Sequence, residues 1–170
     1  MGVRYSRNGE WKSRYHDLTK LDAAVKEIKA ADAKGWDCYF VPSVLRERSQ
    51  RKYAYKESHV AWVDYDGSVE PTWHQHQPSY VVETSPSHYH AYWLLETPAT
   101  SIEVEGLNKA LATVNLADNS GWDCTQLLRI PGTTSKKRGC EVKLVSQSGE
   151  VYANESLPKT WNLWPRTLVL

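Results

Sequence analysis

A chain of 170 residues carrying 21 basic and 20 acidic side chains is one domain's worth of polypeptide, with enough length for a core. Its near balance of charge excludes a global field, so any polyanion must be met by a local patch. Three cysteines, Cys38, Cys124 and Cys140, without a CxxC spacing, exclude a disulfide framework or zinc ribbon and suit a reducing cytoplasm.

No apolar run approaches the ~20 residues of a membrane span, and the N-terminus lacks a signal pattern, so a soluble, intracellular protein with no membrane partner is expected. Eight Trp and ten Tyr against a single Phe predict a core of rings that each carry a polar handle.

Residues 1–17 are polar and aromatic and show no clear period. Thr19-x-x-Asp22 then opens a capping-box-like start. Leu18, Leu21, Val25 and Ile28 form one apolar helical face that ends at Gly35. Trp36–Val41 reads as a strand closed by Pro42. Arg46, Arg48, Arg51 and Lys52 make a basic run in a short helix or loop. Val60–Asp66 is the next strand, followed by a loop with Pro71, Pro78, His74 and His76. Ser79–Thr84 and His88–Leu95 are two more strands, joined tightly through Ser85-Pro86-Ser87. Thr100-x-x-Glu103 starts a second helix with Leu107, Ala110, Leu111 and Val114 on its face, and Asn119-Ser120-Gly121 stops it. Leu127–Ile130 runs into a Pro131-Gly132 turn. Gly139–Val145 and Gly149–Ala153 look like a closing hairpin, and a tail with Trp161, Trp164 and Pro165 is expected to wrap onto the body. Helix, strands, helix, strands predict an α+β domain with helices packed on a mainly antiparallel sheet.

The strongest chemical signal is Val60-Ala61-Trp62-Val63-Asp64-Tyr65-Asp66-Gly67. Strand side chains alternate, so Asp64 and Asp66 share a face about 6–7 Å apart. Like charges there repel unless a cation sits between them. A two-metal phosphoryl-transfer site needs a third carboxylate from another segment. Asp118 and Asp123 both follow the second helix. Asp118 also reads as an ordinary polar residue at a helix end, and Asp123, before an apolar run ending in Arg129, is the preferred candidate. His88 and His90 share a strand face beside Ser85 and Ser87, where imidazole and hydroxyl groups can donate to phosphate. Arg129, Lys136, Lys137 and Arg138 flank a turn and read either as a phosphate-facing cluster or as a solvated basic loop.

Asp-x-Asp at a strand end, the Ser…His strand about 20 residues later, and Trp122-Asp123-Cys124-Thr125-Gln126-Leu127-Leu128-Arg129-Ile130-Pro131-Gly132-Thr133 together resemble the archaeo-eukaryotic primase superfamily. The likeness is to the primase-polymerases of phages, plasmids and other mobile elements and spans residues 35–140. It implies an RRM-like catalytic core over about 35–145 within a single domain of 1–170, acting in a bacterial or archaeal host cytoplasm. By that resemblance Asp64, Asp66 and Asp123 hold two Mg²⁺ or Mn²⁺ ions, and His90 contacts the phosphates of a nucleoside triphosphate. Ser85, Ser87, Arg129 and Lys136 support the nucleotide, with Lys137 the alternative to Lys136. The implied activity is template-dependent nucleotidyl transfer, as a DNA primase and polymerase, on a single-stranded DNA template and primer. Arg46, Arg48, Arg51 and Lys52 are expected along the template backbone. A helicase, in trans or on a longer chain, is the further implied partner. One departure stands out: relatives carry a Ser-Gly-x-Gly-x-His run, whereas this chain has Ser85-Pro86-Ser87-His88-Tyr89-His90, without the glycines that let a backbone approach phosphate. Which serine acts, and what His88 does, stays open.

Three rival readings remain. His88-Tyr89-His90 also fits the His-hydrophobic-His signature of rolling-circle replication endonucleases, which need a downstream nucleophilic tyrosine; Tyr92 is too near, and Tyr152 has no lysine within a turn. A non-catalytic single-stranded nucleic-acid-binding domain would have to tolerate the acidic residues. A zinc site on His74, His76, His88 and His90 is the third.

Overall fold

The chain opens on a hairpin in a computed structural model that describes residues 1–67, 71–73 and 76–159. Strands β1 (Gly2–Arg7) and β2 (Glu10–Tyr15) pair antiparallel from Gly2↔Tyr15 to Arg7↔Glu10. Their two-residue connection is Asn8-Gly9 with φ of 51 and 83°, the left-handed pair that matches the twist of a hairpin. The segment without a clear period is therefore regular structure, specified by its turn rather than by hydrophobic alternation.

Helix α1 (Leu21–Ala33) follows a single 3-10 turn capped by Asp17, whose carboxylate accepts the Thr19 N–H at 3.0 Å. The expected apolar face is out of phase. Leu18, Leu21 and Val25 are about half exposed, while Ala24 and Ile28 are buried. Ile28 packs with Val3, Tyr5, Trp36 and Cys38 into a small core of its own. The period was right but the alanines hid which residue led the stripe, and the buried row starts one position earlier on the helix.

Beyond α1 come β3 (Asp37–Phe40), β4 (Val44–Leu45), β5 (Tyr55–Asp66), β6 (Tyr80–Ser85) and β7 (His88–Thr100). Helix α2 (Ser101–Val114) is started by the expected capping box, in which Thr100 and Glu103 satisfy each other's backbone N–H groups. The short strands β8 (Leu128–Arg129), β9 (Thr134–Ser135) and β10 (Cys140–Glu141), with β11 (Lys143–Gln147) and β12 (Val151–Tyr152), complete the described residues. No helix among them is long and apolar enough to cross a membrane.

Two sheets carry the architecture. One has the order β2-β1-β3-β8; the other runs β11-β6-β7-β5-β4, with β12 added beside the far half of β7. β7 pairs antiparallel with β5 and β6 and parallel with β12. The closing hairpin expected at the end does not form: β11 instead pairs with β6, and Cys140–Glu141 pairs with Thr134–Ser135. Central strands offer hydrogen-bonding edges to distant partners, and sequence proximity lost to them. Trp62 and Trp93, both fully buried, anchor the main core with Leu107 and Leu111 of α2. This is the expected α+β domain with helices on a mainly antiparallel sheet.

Candidate active site

The antiparallel register of β5 and β7 sets Asp64 opposite His90 and Asp66 opposite His88. Residues directly across a ladder share a face, so the Asp-x-Asp and His-x-His pairs form one block on the even-numbered face. Asp64 Oδ1 lies 3.6 Å from His90 Nε2, and Asp66 Oδ1 lies 3.8 Å from His88 Nε2. The block lines a cavity of about 230 Å³ with Tyr39, Ser85, Arg129, Lys137 and Arg138 around it.

A third carboxylate arrives by way of the open edge of β5. The Trp62 N–H is taken by the Asn108 side-chain oxygen at 2.8 Å, and the same amide donates to the Trp122 carbonyl at 3.1 Å. The Trp62 indole N–H donates to Gly121 O at 3.0 Å. One residue pair further along, the Asp118 N–H donates to Asp64 O at 2.9 Å. The segment 115–122 therefore docks along a strand edge that no strand among the described residues fills at this level. Gly121 is required for it, because a Cβ there would sit 2.9 Å from the Asp64 Cβ. The Asp118 carboxylate is steadied by the Ser120 N–H and hydroxyl, both at 2.8 Å.

Electrostatics single out Asp64. Burial, then the Asp66 and Asp118 carboxylates, push it up to about 7. His90 is pushed down to about 3 by burial and by Arg129, so near neutral pH it is an uncharged imidazole and gives Asp64 no countercharge. Carboxylate oxygens are hard donors of the kind that suit Mg²⁺ or Mn²⁺, and Asp66 and Asp118 are the two carboxylates whose charge acts on Asp64.

Asp123, the carboxylate preferred from sequence, is not brought to this block. Its side chain turns to Thr125, accepting from that residue's N–H at 2.7 Å and hydroxyl at 2.5 Å, and to Lys52 Nζ at 3.5 Å. Glu105 and Cys124 lie beside it, with potential donor atoms within 4.8 Å of one another. The Lys52 ammonium, 2.8 Å from Glu105, already supplies the cation there. Burial pushes the Asp123 carboxyl up, but the Thr125 hydrogen bonds and Lys52 outweigh it, and the acid ends below the usual range.

The basic residues also divide. Arg129 faces the cavity with its guanidinium over the Tyr39 ring, and is paired with Asp37 at 2.5 Å. Lys136 is turned away: its ammonium sits 2.9 Å from Asp32 of α1. Lys137 and Arg138 line the cavity in its place. Ser85 is buried and lines the cavity, whereas Ser87 takes the left-handed turn position at φ 65° and is not part of the lining. Arg46 and Arg48 border a separate groove with Tyr15 and His16, near the start of β5. Arg51 precedes the 3-10 turn Lys52–Ala54, and Lys52 is committed to Glu105 and Asp123. None of the four reaches the carboxylate block.

The rival readings find little geometry. Tyr92 is buried behind His90, with its hydroxyl 3.5 Å from Nδ1. Tyr152 donates to Gln77 O at 2.6 Å and packs against His76, away from the block. The proposed zinc set is split, since His76 lies with Tyr152 while His88 and His90 face the carboxylates; His74 falls outside the described residues, as does the tail with Trp161, Trp164 and Pro165.

Residues 42–156 match the family described as the RepB DNA-primase N-terminal domain. Among solved structures, the archaeo-eukaryotic primase domain of the cyanophage S-2L primase-polymerase aligns with a TM-score of 0.72 at 14% identity, over 91% of this chain and 85% of that one. The catalytic domain of primase RepB′ in complex with initiator DNA aligns at 0.68 and 22%, over 89% and 78%. A second structure of primase RepB′ aligns at 0.66 and 21%, over 89% of this chain and 52% of that one. No curated protein matches the sequence.

Proposed function

The chain belongs to the RepB DNA-primase N-terminal domain family, within the archaeo-eukaryotic primase superfamily, and from that membership we propose that it builds and extends primers on single-stranded DNA by a two-metal nucleotidyl transfer. The observation that carries the reading is the pairing of Asp64 and Asp66 with His90 and His88 on one face, with the Asp118 backbone docked against Asp64 and its carboxylate charge acting on it. Mg²⁺ or Mn²⁺ bound to these carboxylates would acidify the attacking 3′-hydroxyl and neutralise charge on the triphosphate.

The chain's own groups do the positioning. On binding a cation Asp64 would give up its proton and serve as a ligand, which would offset the cost of its burial. His90, uncharged near neutral pH, offers a ring N–H to a phosphate oxygen. Arg129, Lys137 and Arg138 supply positive charge along the cavity rim, and Ser85 adds a hydroxyl, so catalysis rests on orientation and electrostatics. Arg46, Arg48 and Arg51 stay proposed contacts to the template backbone, and the DNA bound to the RepB′ catalytic domain supports a DNA substrate for this chain.

Incubation with a single-stranded template, nucleotides and either metal tests the proposal. Wild type should extend product and Asp64→Asn should not. Product from both, or from neither across metals and templates, would remove the assignment.

A further inference from the structure

The four-stranded sheet has an outer face of which the cavity uses only one end. The registers Arg4↔Ser13, Ser6↔Trp11, Arg4↔Tyr39 and Tyr39↔Arg129 place Trp11, Arg4, Tyr39 and Arg129 on one side, opposite the side where Val3, Tyr5 and Cys38 pack with Ile28 of α1. The four form a continuous stack. The Arg4 guanidinium lies 4.7 Å from the Trp11 ring centroid, Trp11 and Tyr39 are 5.7 Å apart, and Arg129 covers Tyr39 at 4.9 Å. Tyr39 and Arg129 belong to the carboxylate cavity, so the stack begins at the site and runs outward. At its outer end Trp11 leaves 47% of its surface exposed, and the buried Arg4 Nε has no hydrogen-bond partner. Asp37, the acid on the same face, is neutralised by Arg129.

A solvated sheet does not need an indole held flat by a guanidinium. We propose that this face is the track for the single-stranded nucleic acid as it leaves the cavity, with Trp11 the exposed platform on which a base stacks and Arg4 a contact to the adjoining phosphate. Aromatic rings alternating with cations bind single strands with little sequence preference. The inference rests on the primase reading for the identity of the strand, but it concerns binding alone and can fail separately.

The test is fluorescence-anisotropy titration of a labelled oligothymidylate against the whole chain, with synthesis assayed in parallel. Trp11→Ala should weaken strand affinity about tenfold, from roughly 1–3 kcal/mol per stacked base, and Trp11→Phe should keep most of it. Nucleotide binding in Mn²⁺ should be unchanged in both variants, which a general loss of structure would not allow. Tyr53, an aromatic residue 62% exposed beside Lys52, lies off the track, and Tyr53→Ala should bind like wild type. Unchanged affinity in Trp11→Ala, or a loss in Tyr53→Ala equal to that in Trp11→Ala, would overturn the track. A tenfold loss in Trp11→Ala from a protein that synthesises nothing would uphold it while removing the primase reading.

Discussion

Two acidic groups lie on this molecule, built from similar parts and left in opposite electrical states. At Glu105 and Asp123 the Lys52 ammonium sits within 2.8 and 3.5 Å, and both acids end below their usual range although burial pushes them up. At the other group Asp64 and Asp66 face His90 and His88 at 3.6 and 3.8 Å, His90 is uncharged, and Asp64 is driven up to about 7 by burial and by the Asp66 and Asp118 carboxylates. The first group carries its cation on a side chain. Among the described residues no lysine or arginine lies within salt-bridge distance of the second group, and that difference, rather than a count of carboxylates, is what favours it in the proposed reading.

The largest expected effect separates the two third-carboxylate candidates. Asp118→Asn should lower primer synthesis by about a thousandfold, on the scale of removing one group that acts on transition-state charge, while Asp123→Asn should stay within severalfold of wild type. Steady-state extension rates decide it; equal losses would return Asp123 to the site. Next in size is Gly121→Ala. Its Cβ would lie 2.9 Å from the Asp64 Cβ, and a displacement well under 1 Å at a positioned ligand can reduce turnover by roughly 10–100-fold. Turnover should fall while the melting temperature drops only a few degrees, and an unchanged turnover would mean that the edge does not set the position of Asp64.

Why the sequence could not choose between Asp118 and Asp123 by their distance from Asp64 is visible in the turns. Asp118 and Asp123 each accept the N–H two residues on, from Ser120 and Thr125, so Asp-Asn-Ser and Asp-Cys-Thr are locally equivalent. What distinguishes them is a backbone hydrogen bond to Asp64 O across 54 positions, and no local pattern records it. By contrast Asp64, Asp66, His88 and His90 were legible because a period of two on neighbouring strands fixes the facing residues. Lys136 and Lys137 point to different sides because adjacent residues diverge, and the neighbouring acid Asp32 decided which was captured. The opening hairpin was missed for another reason. Its signal was the dipeptide Asn8-Gly9, carried by turn chemistry in a segment read for periodicity.

A smaller effect concerns stability. Asp64 holds its proton to about pH 7 when folded and loses it near 3.8 when unfolded. Between those values the folded state binds more protons, so stability falls as pH rises through the window and stays low above it. The whole shift corresponds to roughly 4 kcal/mol; partial exposure and relaxation reduce the expected value to about 1–2 kcal/mol. Asp64→Asn should therefore melt about 3–6 °C higher than wild type at pH 8 without metal, on the usual scale for a chain this size, and match it at pH 4. Adding Mg²⁺ should raise the melting temperature of wild type and leave the variant nearly unmoved. A variant less stable than wild type at pH 8 would mean that Asp64 is not strained by its neighbours.

The smallest effect tests the other group. Lys52 is more than half exposed, so removing its ammonium in Lys52→Ala should cost only about 1 kcal/mol, seen as a drop of roughly 2–4 °C. The remaining Glu105 and Asp123 oxygens would then face each other without a countercharge, as the carboxylates of the cavity do. Mg²⁺ should restore most of the lost melting temperature through this second pair, and it should do so equally when Asp64→Asn has removed the response of the first. Restoration in the single variant that vanishes in the double would trace the ion to the cavity, and the two acidic groups would then differ in shape as well as in charge.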